Sequence, residues 1–111
     1  MADFSPTLRS VEAAEISPDG RMVISGSKFG NYLMLWRVAD GFLLWEHVLD
    51  AEIEAVTFSP DNQYIAAGDE ANQVTIWNLK GEQVQTLTHD VAFDGLTWSP
   101  DGKYVAGGSE R

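Results

Sequence analysis

The sequence predicts an all-β protein built from repeated four-stranded antiparallel sheets, and three observations predict it. A turn of one composition recurs as Ser17-Pro18-Asp19-Gly20, Ser59-Pro60-Asp61-Asn62 and Ser99-Pro100-Asp101-Gly102, with the serines 42 and then 40 residues apart. A tryptophan closing an apolar run keeps the same step, in Leu35-Trp36-Arg37 and Ile76-Trp77-Asn78, 41 residues apart. Between these landmarks lie short stretches of strand-like alternation, and no segment carries helical periodicity.

Each element follows in order from local chemistry. Proline presets φ at the turn, and Gly or Asn tolerates the positive φ that comes after it. In the first period the alternation predicts strands over 11–17, 22–27, 31–38 and 42–49. In the second, Ile53, Ala55 and Thr57 are expected on one face of a strand and Glu54, Val56 and Phe58 on the other. After the turn come Tyr64–Ala67, a loop, Val74–Trp77, a second turn at 78–81 and Gln83–Leu87. The third period supplies strands at 93–99 and 104–109. Four antiparallel strands in a period of 40 to 42 residues describe a propeller blade; helical repeats and the shorter leucine-rich repeats do not fit. The expected fold is therefore a partial β-propeller. Residues 1–10 form an N-terminal segment, 11–49 a first blade, 53–89 a second and 93–111 half of a third, all in one incomplete domain. Within 1–10, Phe4-Ser5-Pro6-Thr7-Leu8 is a candidate closing strand, held to an edge by Pro6.

These features resemble the WD40-repeat family: Ser-Pro-Asp-Gly turns, an apolar-Trp pair ending the third strand, and Gly-Ser or Gly-Gly after the second. The resemblance covers about residues 11 to 111. It implies a ring of four-stranded blades and a non-catalytic surface that acts as a protein–protein interaction scaffold or adaptor. The family's blades often carry a His–Ser–Asp–Trp hydrogen-bonded set, and here it is incomplete. His89 sits at the histidine position, but its repeat has Gly107 and Arg111 at the serine and aspartate positions. The second repeat has Ala67 and Ala71 there. The first keeps Ser25, replaces the aspartate with Phe29 and carries one extra residue before Trp36. These blades are expected to rely more on packing.

Closed propellers need roughly four to eight blades. Two and a half leave two faces open, and a few hundred Å² of wet apolar face at about 25 cal/mol per Å² forgoes on the order of 10 kcal/mol. Whole domains are stable by only about 5–15 kcal/mol. Further blades are thus expected from the same chain or from other copies. The stop at Gly107-Gly108-Ser109-Glu110-Arg111 favours the former.

Composition bounds the function. The 111 residues are 44% hydrophobic and 11% aromatic, as in a folding domain. Cysteine is absent, so no disulfide framework or thiolate site is expected. No secretory signal is visible at the start and no apolar run reaches the roughly 20 residues of a membrane helix, so a cytoplasmic location is expected. With 17 acidic and 7 basic residues the formal charge is −10, which disfavours nucleic acid and anionic membranes and favours a protein partner with a basic surface.

The usual catalytic patterns are missing. His47 and His89 are the only histidines, and neither a nucleophile elbow nor a phosphate loop is present. No cofactor or metal is expected. His47 lies in the apolar strand Phe42–Leu49, where a structural role is expected. Asp40-Gly41-Phe42-Leu43-Leu44-Trp45 loosely resembles the Asp-Gly…Leu-Trp strands of quinoprotein propellers, so a fragment of a quinoprotein-like or other propeller enzyme is the alternative. One feature goes beyond the fold: the position five residues before each turn serine is acidic, as Glu12, Glu54 and Asp94. Together with Glu52, Asp69, Glu70 and Glu110, these residues form a candidate acidic rim for a basic partner. The repeat landmarks Ser17, Pro18, Asp19, Trp36, Ser59, Pro60, Asp61, Trp77, His89, Ser99, Pro100 and Asp101 are assigned to structure.

Overall fold

The computed structural model describes residues 11–27, 30–88, 95–103 and 105–108. Among them there is no helix. The first sheet runs in sequence order through β1 (Val11–Ile16), β2 (Met22–Ser27), β3 (Tyr32–Arg37) and β4 (Leu43–Val48). The second does the same through β5 (Ile53–Phe58), β6 (Tyr64–Asp69), β7 (Gln73–Asn78) and β8 (Gln83–Thr88). A third pair joins β9 (Gly95–Trp98) to β10 (Val105–Gly108). All described pairings are antiparallel. The candidate strand at Phe4–Leu8, and His89, Asp94 and Glu110, lie outside the described residues.

The recurring turn is built identically three times. Ser17 Oγ donates to Asp19 Oδ1 at 2.6 Å, Ser59 Oγ to Asp61 Oδ1 at 2.6 Å, and Ser99 Oγ to Asp101 Oδ1 at 2.6 Å. The same carboxylate oxygens accept from the amides of Arg21, Gln63 and Lys103, each at 3.0 Å. Gly20, Asn62 and Gly102 take φ of 75°, 62° and 74°, the left-handed conformation that the composition calls for.

Each sheet has little core of its own. The main apolar cluster spans both four-stranded sheets, with Ile24, Leu33 and Leu35 from the first against Ile53, Val56, Phe58, Ile65 and Trp77 from the second. Close approach is possible because Gly26 has no side chain: a Cβ there would overlap Ile53, lying 2.8 Å from the Ile53 Cβ. At the inner strands, Glu15 Oε1 accepts from Thr57 Oγ1 at 3.0 Å and from the Phe58 amide at 3.1 Å. At the outer strands, Trp45 Nε1 donates to Leu79 O at 3.0 Å and His47 Nε2 lies 2.7 Å from Gly81 O, so Nε2 carries the proton. The His47 ring stacks on Trp77, with centroids 4.6 Å apart. His47 is thus a joint between sheets. A smaller cluster of Ala66, Val74 and Ile76 receives Leu96, Trp98 and Val105 on the other side of the second sheet.

The simple alternation expected for β5 does not hold. The ladder with β6 shifts between Ile53 and Ala55, so Ile53 joins Val56 and Phe58 in the main cluster instead of sharing the face of Ala55 and Thr57. Covered on both faces, β5 is buried throughout except at Glu54.

Replacing Gly26 by alanine is expected to cost about 1–3 kcal/mol through overpacking against Ile53. Urea midpoints would measure this, and the double variant Gly26→Ala/Ile53→Ala should recover part of the loss relative to Ile53→Ala alone.

Candidate functional site

The register shift in β5 has a twin in β1, between Val11 and Ala13. In each strand one residue is surplus to the ladder, and those residues are Glu12 and Glu54. A β-bulge takes its extra residue out of the strand ladder and bends the strand there. In the first two repeats the acidic position is therefore the bulge position of the first strand of the sheet. Around Glu54 the chain gathers further acid: the Glu70 amide donates to Glu52 O at 2.9 Å, holding the segment before β5 against the turn after β6. One carboxylate atom each of Glu52, Glu54 and Glu70 then lie within 4.8 Å of one another. At that spacing each pair of charges repels by about 1 kcal/mol in a water-like dielectric. A basic group brought alongside would relieve this repulsion.

Asp69 does not stand on this exposed rim. It is the last residue of β6, only 2% exposed. Its Oδ1 accepts from the amides of Ala71 at 2.9 Å and Gln73 at 3.2 Å, closing the β6–β7 turn. Burial raises its carboxyl above the ordinary 3.8, with the Asp50 charge acting in the same direction, against the lowering effect of the two amides. Asp69 lines a cleft of about 270 Å³ between the two four-stranded sheets, with His47, Asp50, Gln73, Trp77 and Thr86. The side chain of Glu12 is not described, and Asp94 and Glu110 lie outside the described residues.

The tryptophan network is rebuilt in a way the sequence comparison between repeats missed. Trp36 Nε1 donates to Ser25 Oγ at 3.1 Å, as the family pattern implies. In the second sheet, where Ala67 stands at the serine position, Trp77 Nε1 donates to Thr75 Oγ1 at 2.9 Å. Thr75 faces Ala67 across the ladder, so the hydroxyl comes from the tryptophan's own strand, β7, instead of from β6. A threonine two residues before the tryptophan was the available signal. The Asp40–Trp45 segment is a turn and an outer strand: Asp40 pairs with Arg37 at 2.7 Å and accepts from the Phe42 amide at 3.1 Å. The Arg37 guanidinium and that amide hold its carboxyl down at about 2.

The model of the family described as "WD domain, G-beta repeat" matches residues 43–78 and 81–111. The chain belongs to the WD40 family. The first WD40 match begins at β4 of one sheet and ends at β7 of the next, so a sequence repeat straddles two sheets. Among relatives, the small ribosomal subunit protein RACK1y of Oryza sativa subsp. japonica is 36% identical over 74 residues, 67% of this chain and 21% of that protein. The small ribosomal subunit protein RACK1 of Schizosaccharomyces pombe is 36% identical over 81 residues, 72% of this chain and 25% of that protein. The WD40 chain therefore spans about a fifth to a quarter of the length of these relatives. Among solved structures, Kuenenia stuttgartiensis hydrazine synthase superposes with a TM-score of 0.80 at 20% identity, covering 88% of this chain and 29% of that one. The structure of U3-55K gives 0.73 at 24% identity, covering 78% and 29%. At these identities the likeness is one of fold.

The turn carboxylates set an acid limit on stability. Asp19, Asp61 and Asp101 are each lowered from 3.8, first by the serine hydroxyl and then by the following amide. Their contribution is present above the ordinary carboxylate value and is lost as pH falls through their lower folded values. Asp69 acts with the opposite sign, since its raised value favours the fold when it is protonated. Thermal midpoints followed from pH 7 to 2 should fall below about pH 4. Asp19→Asn/Asp61→Asn/Asp101→Asn should start lower at pH 7 and show a shallower acid limb.

Proposed function

We propose that this chain serves as a non-catalytic WD40-type scaffold module whose acidic end receives a basic segment of a partner protein. The observation that carries this reading is the gathering of Glu52, Glu54 and Glu70 within 4.8 Å at a bulge that repeats in β1. Repeated charge at a repeated position steers an oppositely charged partner and sets its register. The −10 formal charge acts in the same direction and opposes direct contact with phosphate backbones. Relatives named as small ribosomal subunit proteins suggest a cytoplasmic ribonucleoprotein setting, in which this chain would meet basic protein surfaces rather than RNA.

The module would be one part of a ring. Ile16 and Phe58 end the innermost strands of the first and second sheets at the same point of the repeat. Phe58 is 4% exposed beneath the neighbouring sheet, whereas Ile16 is 62% exposed. A neighbouring blade on the side of the first sheet that carries Ile16, from the same protein or another copy, would cover it as the first sheet covers Phe58.

The test is neutralisation of the repeated acidic position, as Glu12→Gln/Glu54→Gln/Asp94→Asn, followed by capture on an immobilised peptide of alternating Lys and Gly at several salt concentrations. Several-fold weaker capture and a shallower salt dependence are expected. Unchanged capture and slope would remove the acidic rim from the proposal.

A further inference from the structure

We propose that the outer edge of the second sheet joins two copies of this chain, with β8 of one lying antiparallel to β8 of the other. A sheet edge presents unpaired N–H and C=O groups to any extended segment, and proteins guard such edges with charge, proline or short length. Among the described sheets, the edge strands of six residues are β1, β4, β5 and β8. Three of them carry acid, as Glu12 and Glu15 in β1, Glu46 in β4 and Glu54 in β5. The fourth, β8, reads Gln83-Val84-Gln85-Thr86-Leu87-Thr88, with no charge, glycine or proline, and all six of its residues are exposed. Further blades would stack on the faces of this sheet, as the first sheet does, and leave its outer edge open.

The distribution of charge points to a second copy as the occupant. At a formal charge of −10, two copies repel over most of their surface, and self-pairing of β1, β4 or β5 would set carboxylates beside one another. Self-pairing of β8 brings together only uncharged side chains. A two-fold antiparallel pair places one residue opposite itself, and the central choices are Gln85 and Thr86. In the first register Val84 faces Thr86 of the other copy and Gln83 faces its Leu87. In the second, Gln85 faces Leu87 and Val84 faces Thr88. Val84 and Leu87, 51% and 42% exposed in a single copy, gain cover either way. The surplus residue of β8, at the register shift between Ile76 and Trp77, is Val84, which leaves Gln85–Thr88 as a regular run. Pairing along that run makes one eight-stranded sheet across the two-fold axis.

Sedimentation velocity of the full chain at rising concentration tests this, and a reversible monomer–dimer equilibrium is expected. Gln85 stands on or beside the axis in either register, so Gln85→Lys and Gln85→Glu each bring like charges together. Each should weaken the dimer about tenfold with little change in the urea midpoint. An equimolar mixture of the two variants should recover the dimer, and native mass spectrometry should show it as the mixed species. Should a Gln85 variant not fold, Thr86→Lys and Thr86→Glu serve in the same way. A monomer at every concentration, self-association untouched by both charges, or a mixture that forms no mixed dimer would overturn the proposal. Self-association through open blade faces would give the second of these results. A monomer that binds acetyl-Thr-Val-Thr-Val-Thr-Val-amide would assign the edge to a foreign strand and overturn it as well. The acidic rim lies on other strands, so the scaffold reading stands or falls separately.

Discussion

A four-stranded antiparallel sheet of six-residue strands has two faces and almost no thickness, so it cannot bury its apolar residues by itself. Everything described here depends on laying one such sheet flat on the next. The contact is tight at the centre, where Gly26 yields its side-chain volume to Ile53, and is pinned at both margins by directional bonds. On the inner margin Glu15 accepts from Thr57 and the Phe58 amide. On the outer margin Trp45 and His47 engage the carbonyls of the β7–β8 turn. Apolar packing supplies attraction without direction, and the margin bonds fix how one sheet is rotated on the other.

The span of the WD40 match makes mechanical sense in this light. A repeat that starts at β4 and ends at β7 carries the outer strand of one sheet and three strands of the next. The connection between blades is then inside the repeating unit. Trp45 and His47, near the start of the first match, bind the turn just after its end, so that unit spans the joint between the two sheets.

Much of this was legible in the sequence because it depends on local chemistry. The Ser-Pro-Asp-Gly turns specify their own conformation, and the tryptophan spacing gives the period. What escaped the reading depends on register or on the third dimension. Strict alternation placed Ile53 with Ala55, and the bulge undid it, since a bulge is a property of the pairing and not of one strand's residues. Thr75 as the acceptor for Trp77 was hidden for a related reason: two strands of one ladder can supply the same hydroxyl. Asp69 reads as one acid among several beside Glu70, and only the turn it closes draws it inward. The acidic position at 12 and 54 was visible as a pattern, but its physical meaning as the bulge residue was not.

The contrast between Asp69 and Glu70 shows how adjacent identical charges acquire different roles. Successive strand residues point to opposite sides, and a chain turning out of β6 sends one carboxylate under the sheet edge and leaves the next in solvent. The buried one closes a turn through its Oδ1. The exposed one stays hydrated and joins Glu52 and Glu54 in a cluster whose repulsion is screened by salt. Two consecutive carboxylates thus divide between holding a turn and charging the rim.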